Sequence, residues 1–194
     1  MRFLFLLALS IAIALGLGGW SAERALEEAA DLGTETVGPW LANPTAGSLD
    51  ADPYSKARLA RIGNLTLGIG EGIQFRASRD SGGEPLRLDC TYRLAGQTPP
   101  ARVWTLAAFG WDGRVVQPGA GRPGWLVSRN ILRAEDNGFS ATVGPRAASG
   151  NWLSVVGTGP FVLILTLYDT PASSSSGVGD LSLPDLVRQD CARG

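Results

Sequence analysis

The chain has 194 residues, 44% of them hydrophobic, with 26 glycines, 12 prolines and a net charge of −1. That is enough for one membrane or targeting segment plus one domain of ordinary size with a real core. A near-neutral charge gives no field for drawing in nucleic acid. The absence of histidine excludes any Ser-His-Asp, Cys-His or His-zinc mechanism within this chain.

Phe3 to Trp20 carries no charged residue, and Ser10 is its only clearly polar side chain. As a helix rising ~1.5 Å per residue, the run spans ~27 Å, enough for a thin bilayer. It reads as a membrane anchor, with Arg2 before it, Trp20 at its far interface and Glu23, Glu27, Glu28 and Asp31 beyond. The alternative is a secretory signal cleaved after Gly16-Leu17-Gly18. Either reading places the rest of the chain outside the cytoplasm. The expected division is residues 1–22 as anchor, 23–51 as helical extension and linker, and 52–194 as the folded domain.

Ser21 to Leu32 is rich in Ala, Glu and Leu, so the helix continues past the interface, unless Ser21 caps a fresh turn. Gly33 to Asp52 reads as loop, with Trp40 and Leu41 available to pack back on the domain. Asp52-Pro53 marks a helix N-terminus, Asp as N-cap and Pro in the first position. That helix runs Tyr54 to Ile62 and stops at Gly63-Asn64. Tyr54, Ala57, Arg58 and Arg61 share one basic side.

From there the pattern turns to strands. The expected ones are Ile73–Arg79, Leu86–Leu94, Arg102–Phe109, Arg114–Val116, Trp125–Val127, Ile131–Ala134, Phe139–Val143, Asn151–Val155 and Phe161–Asp169. In Leu86–Leu94, Leu86, Leu88, Cys90, Tyr92 and Leu94 alternate with Arg87, Asp89, Thr91 and Arg93, a period of two that buries one face. Ala95 to Pro100 reads as the turn of a hairpin returning through Ala101 to Phe109. Asn137-Gly138 is a hairpin signal. Phe161 to Tyr168 is apolar on both faces, which predicts a central strand covered on both sides. Ser173 to Gly177 reads as a surface loop, and Leu183-Pro184-Asp185 as the start of a last turn or short helix. Many short strands with turns about every ten residues predict an antiparallel, jelly-roll-like β-sandwich behind an N-terminal transmembrane helix.

Residues 52–75 (DPYSKARLARIGNLTLGIGEGIQF), the DCTYRL…PPARVWTL segment (89–106), GNWLSV (150–155), FVLILTLYDTP (161–171) and LPDLVRQDC (183–191) together resemble the bacterial domain of unknown function 1214. The resemblance covers Asp52 to Cys191. Many members follow a second uncharacterised domain, numbered 1254, which is missing here; others are short proteins with one membrane segment. The resemblance implies a jelly-roll sandwich and a membrane or exported location. It implies no established activity and supplies no catalytic residues.

Cys90 and Cys191, the only cysteines, read as one disulfide in an exported domain. No metal site and no cofactor is expected. Trp104, Trp111, Trp125 and Trp152 are candidates for a stacking platform, and Arg122 and Arg129, flanking a Gly-Pro-rich loop, for an anion-binding rim. Trp104, Trp125, Arg122 and Arg129 are the expected ligand-binding residues. The carboxylates Glu71, Asp80, Asp89, Asp112, Glu135, Asp136 and Asp169 are the one enzymatic route, and Asp80, Asp112 and Asp136 sit in glycine turns where Asp is structural. Gly68, Gly70 and Gly72 precede a strand, so a dinucleotide reading fails its context. The sequence therefore points to a bacterial envelope protein held in the inner membrane by Phe3 to Trp20, or released to the periplasm after cleavage. It is expected to bind an envelope protein or a small ligand, the rival reading being an exported carboxylate-dependent hydrolase.

Overall fold

The computed structural model describes residues 2–28, 33–62, 66–68, 70–173, 178 and 181–191. The helix stop at Gly63-Asn64 and most of the Ser173-to-Gly177 loop lie outside them, as does the side chain of Arg58. Helix α1 runs Arg2–Glu28 without interruption. Ser21 does not cap a new turn. Its Oγ donates back to the Gly18 carbonyl at 3.1 Å inside the helix. The apolar side chains of α1 are exposed, and the helix is long and apolar enough to cross a membrane or to serve as a signal sequence.

Beyond α1 the chain forms β1 (Glu35–Val37), β2 (Trp40–Ala42), α2 (Pro53–Ile62), β3 (Gly72–Ala77), β4 (Cys90–Gly96), β5 (Val103–Phe109), β6 (Trp125–Val127), β7 (Phe139–Gly144), β8 (Asn151–Ser154), β9 (Val162–Tyr168) and β10 (Asp185–Cys191). Two sheets result, ordered β1-β2-β3-β9-β5-β6 and β10-β4-β7-β8. Their inner faces form one core. Phe75, Trp104, Leu106, Leu163, Leu165 and Leu167 come from the larger sheet, and Cys90, Tyr92, Leu94, Phe139 and Val143 from the smaller. The architecture is a β-sandwich with an apolar helix before it.

Several local readings are corrected. β4 and β5 are not a hairpin. β4 pairs β10 and β7, while β5 pairs β9 and β6, so Gly96-to-Pro100 carries the chain between sheets. The alternation from Leu86 is real, but Leu88 donates to the Gly159 carbonyl and Phe161 to that of Leu86 before β4 begins at Cys90. One periodic run is therefore part isolated bridge and part strand. Residues 35–42, read as loop, are β1 and β2, turning at Gly38 (φ 56°). Ile131–Ala134 is not a strand. Asn151 closes on it instead, its amide bonding Leu132 N–H and C=O at 2.7 and 2.8 Å, so a side chain replaces a strand neighbour. Arg114–Val116 contributes only a bridge from Val115 to Phe109. The C-terminal turn is strand β10. β7 and β8 pair in parallel, a departure from the all-antiparallel expectation. The 145–150 connection is short because β8 begins opposite Ala141, so the chain doubles back only about 10 Å.

Cys191 stands opposite Cys90 in the β10–β4 register, and the two form a disulfide across a sequence separation of 101. Closing so long a loop stabilises the fold by roughly 4–5 kcal/mol through the unfolded chain's lost entropy. Arg188 on β10 reaches the other sheet: its Nε lies 3.0 Å from the buried Asp80 carboxylate just past β3, and Nη2 donates to Pro85 C=O. Its guanidinium sits 5.7 Å from the Tyr92 ring centroid. Tyr92 Oη in turn accepts Arg87 N–H at 2.8 Å. Burial raises the Tyr92 phenol above its ordinary 10.0. Its contribution to stability is therefore present below pH 10 and lost as pH climbs through the raised value.

Unfolded, unreduced protein is expected to show no free thiol in a thiol titration. Cys191→Ser, compared with the oxidised parent by urea denaturation, is expected to lose roughly 4–5 kcal/mol.

Candidate functional site

β9 is the reason a site exists. Leu163, Leu165 and Leu167 face the core, while Val162, Ile164 and Thr166 face outward from the larger sheet. Both faces need cover. On the outer side α2 and the segments around residues 43–47 and 66–68 lie over β3 and β9, and they leave a cavity of about 530 Å³. That is within the range of small-molecule sites. Its apolar wall is built from Leu41, Leu59, Leu67, Val162 and Trp111. Its polar groups include Asn43, Ser55, Gln74 and Arg76. Sheet register sets one outward row across β2, β3, β9, β5 and β6, Leu41, Arg76, Ile164, Ala107 and Trp125, of which Leu41 and Arg76 line the cavity.

The lid is held by local chemistry. Asp52 caps α2, its Oδ1 accepting Ser55 N–H at 2.9 Å. Ser55 and Leu59, one turn apart, face the cavity, while Tyr54, Ala57 and Arg61 are exposed. The Ser55 hydroxyl beside the Asp52 carboxylate, followed by the Ser55 N–H, holds that carboxyl below its ordinary 3.8. The hydroxyl is buried and makes no hydrogen bond of good geometry. Asn43 Oδ1 accepts from both Thr45 N–H and Oγ1, fixing the loop after β2. The two covering segments touch where a Cβ on Gly47 would stand 1.9 Å from Leu67 C=O.

The glycines at 68, 70 and 72 serve this corner rather than a nucleotide. Gly68 N–H is held by Glu71 Oε2 at 2.8 Å, and Gly70 has φ 93°. A Cβ on Gly72 would lie 2.1 Å from Leu167 C=O. Ile69, between them, lies outside the described residues.

The four expected ligand-binding residues do not come together. Trp104 is 2% exposed and packs in the core against Phe139, ring centroids 5.0 Å apart. Trp125 is 65% exposed on the opposite, outer face of the same sheet, so the two share no platform. Arg122 donates to Pro145 C=O at 3.0 Å and lies 6.0 Å from the Trp152 ring centroid. Arg129 is exposed beyond β6. None of the four lines the cavity among its described residues.

The carboxylates have local duties. Asp80 accepts Gly82 and Glu84 N–H, Asp112 accepts Arg114 N–H, and Asp136 accepts Gly138 N–H. Asp89, hydrogen-bonded by the Arg87 guanidinium, is held below its ordinary pKa by that contact. Asp169 stands 3.9 Å from Arg102. Among the described residues, no group of three or more Cys, Asp and Glu side chains gathers as metal ligands, and no carboxylate lines the cavity. Sequence reasoning missed Arg76, Gln74 and Leu59 as site residues. Arg76 and Gln74 carried a signal, as the polar alternates of β3, but the outer face of that strand reads as plain solvent until Ser55 and Leu59 of α2 are seen to line the same cavity.

A two-sheet β-sandwich with a cavity between its outer face and a short helix is the class these features define. Residues 71–172, just over half of the chain, match the family model described as protein of unknown function (DUF1214), and the chain belongs to that family. Among solved structures it is similar to the VPA0106 protein from Vibrio parahaemolyticus, with 20% identity, a TM-score of 0.65, and coverage of 90% of this chain and 44% of the other. That likeness supports the fold, and the chain spans less than half the length of that relative. An uncharacterised protein from Burkholderia cenocepacia matches at 16% identity and a TM-score of 0.45, over 76% of this chain and 46% of its own. No curated protein matches the chain.

Gly72→Ala is expected to lower stability by about 1–3 kcal/mol, since a backbone carbonyl must shift to admit the methyl; thermal melting checks it. The lowered Asp52 pKa contributes stability above its ordinary value and loses it as pH falls through the folded one. Amide exchange in α2 is therefore expected to quicken, relative to the β-strands, below about pH 4. Asp52→Asn is expected to remove that pH dependence.

Proposed function

We propose that the chain is a membrane-anchored, extracytoplasmic binding module whose ligand is a small molecule held between α2 and the outer face of the larger sheet. The cavity carries this reading: it is mostly apolar, has a few convergent polar groups and is of ligand size. Two further features support the location. The apolar face of α1 is exposed and long enough to span a bilayer. The Cys90–Cys191 disulfide suits an oxidising compartment. The anchor stays near the site. Glu23 on α1 pairs with Arg61 on α2 at 2.9 Å, an exposed contact of little strength, while the covalent connection through residues 29–34 holds regardless.

Full-length protein purified from solubilised membranes is expected to carry a bound small molecule, detected by mass spectrometry, that Leu59→Trp abolishes by filling the cavity. Equal recovery from both proteins, or none from the parent, would count against the reading. In spheroplasts, added protease is expected to cleave the domain; a protected domain overturns the assigned side of the membrane.

A further inference from the structure

We infer that the uncovered part of the larger sheet's outer face rests on the surface of the membrane that α1 spans, with Trp111 and Trp125 set into the boundary between head groups and acyl chains. This rests on α1 being a membrane anchor, and not on what the cavity holds.

The face is chemically unlike a solvated one. By alternation, β5 presents Val103, Thr105, Ala107 and Phe109 on it, and β6 presents Trp125 and Val127. The outward positions of the neighbouring β9 are uncharged as well. No charged side chain therefore interrupts the outer face of these three strands. The outer face of the smaller sheet has the ordinary character, with Arg93, Ser140 and Thr142 facing water. Both exposed tryptophans belong to the uncharged side. Register sets Trp125 beside Ala107, and Trp111 lines the cavity together with Val162 and Gln74. Trp125 is 65% exposed, Trp111 67%, and Val115, bridged to Phe109, 46%. A contiguous apolar surface of this kind marks a place of contact.

A bilayer is the partner that the chain itself brings to this face. α2 lies on the same side of the sheet and meets α1 through Arg61 and Glu23, so the anchor joins the domain there. Thr34 lines the cavity on that side. From Trp20, the helical residues to Glu28 advance ~12 Å, and the six residues to Thr34 reach at most ~20 Å more. The edge of the face is thus held within ~32 Å of the anchor's interfacial tryptophan. An indole at the head-group level keeps its ring in apolar surroundings and its N–H among polar partners. Tyr168, at the far end of β9, adds a third ring with a polar tip.

The test places the full chain in vesicles of phosphatidylcholine brominated near the head-group end of one acyl chain. It reads quenching of tryptophan fluorescence against unbrominated vesicles. Trp20→Phe removes the anchor's own signal and is expected to leave roughly two-thirds of the quenching, since two of three lipid-facing indoles remain. Trp111→Phe and Trp125→Phe added together on that background are expected to abolish it. Trp152→Phe, on the smaller sheet, is expected to change nothing. Both outer tryptophans are mostly exposed, so the fold is expected to survive their loss, which thermal melting checks. Quenching abolished by Trp20→Phe alone overturns the docked face and leaves the anchor standing, even where a protein is found cross-linked to Trp125. Quenching that persists without Trp20, Trp111 and Trp125 puts another surface on the bilayer and overturns it too. A parent chain with no quenching overturns the anchor, and the docked face with it; the copurification comparison with Leu59→Trp still decides the cavity separately.

Discussion

Strand β9 is apolar on both faces, and the rest of the molecule is arranged around covering them. One face has an ordinary solution, since Leu163, Leu165 and Leu167 meet the smaller sheet in the sandwich core. The other face is the outside of a six-stranded sheet, where a second layer is not supplied by another sheet. A helix of ten residues takes that place. It is too short to seal the surface: Val162 and Thr166 are buried, but Ile164 between them is half-buried and Leu41 and Arg76 toward β2 and β3 are exposed. The cavity is what remains between a strand that must be buried and a lid too small to bury everything near it.

The sandwich is closed by cross-ties that are polar, not only by apolar contact. Trp40 Nε1 on β2 donates to the Pro184 carbonyl at 2.8 Å, joining the larger sheet to the lead-in of β10. Asp80 and Arg188 join the turn after β3 to β10 itself. The Trp40 bond satisfies a buried N–H that would otherwise oppose folding, and the ion pair sets a cation against the buried Asp80 carboxylate. All converge on β10, an edge strand, and the disulfide fixes that same strand covalently to β4. The edge is thereby held on three sides.

Much of this was legible in the sequence. The unbroken apolar run of α1, the Asp52-Pro53 start of α2, the double-sided hydrophobicity of β9 and the pairing of the two cysteines are local or compositional signals, and each appears in the fold. What was not legible is which strand neighbours which. Leu86 to Leu94 shows one clean alternation, yet its first part makes only an isolated bridge to Pro160 and turns at Leu88-Asp89 before β4 begins, because a period of two reports facing and not partner. Ile131–Ala134 has strand composition, but Asn151 takes the backbone bonds of Leu132 and Ala134 closes a turn with Gly138. The site was the least legible part. Tryptophans and loop arginines drew attention by chemical type, whereas Gln74 and Arg76 reach the cavity lining only through the register of β3.

The pairing of β4 with β10 also sets a clock. Cys191 follows Cys90 by 101 residues, so at a synthesis rate of ~5–20 residues per second β4 waits roughly 5–20 s for its edge partner and its sulfur. β3 waits nearly as long for β9. Through that interval both strands carry unpaired edges and core side chains without a core, the state most exposed to aggregation and to wrong thiol partners. The β10–β4 pairing and the disulfide are thus completed only when the last strand is made. The chain therefore depends on whatever shelters nascent chains in its compartment more heavily than a protein of the same size made of neighbouring hairpins.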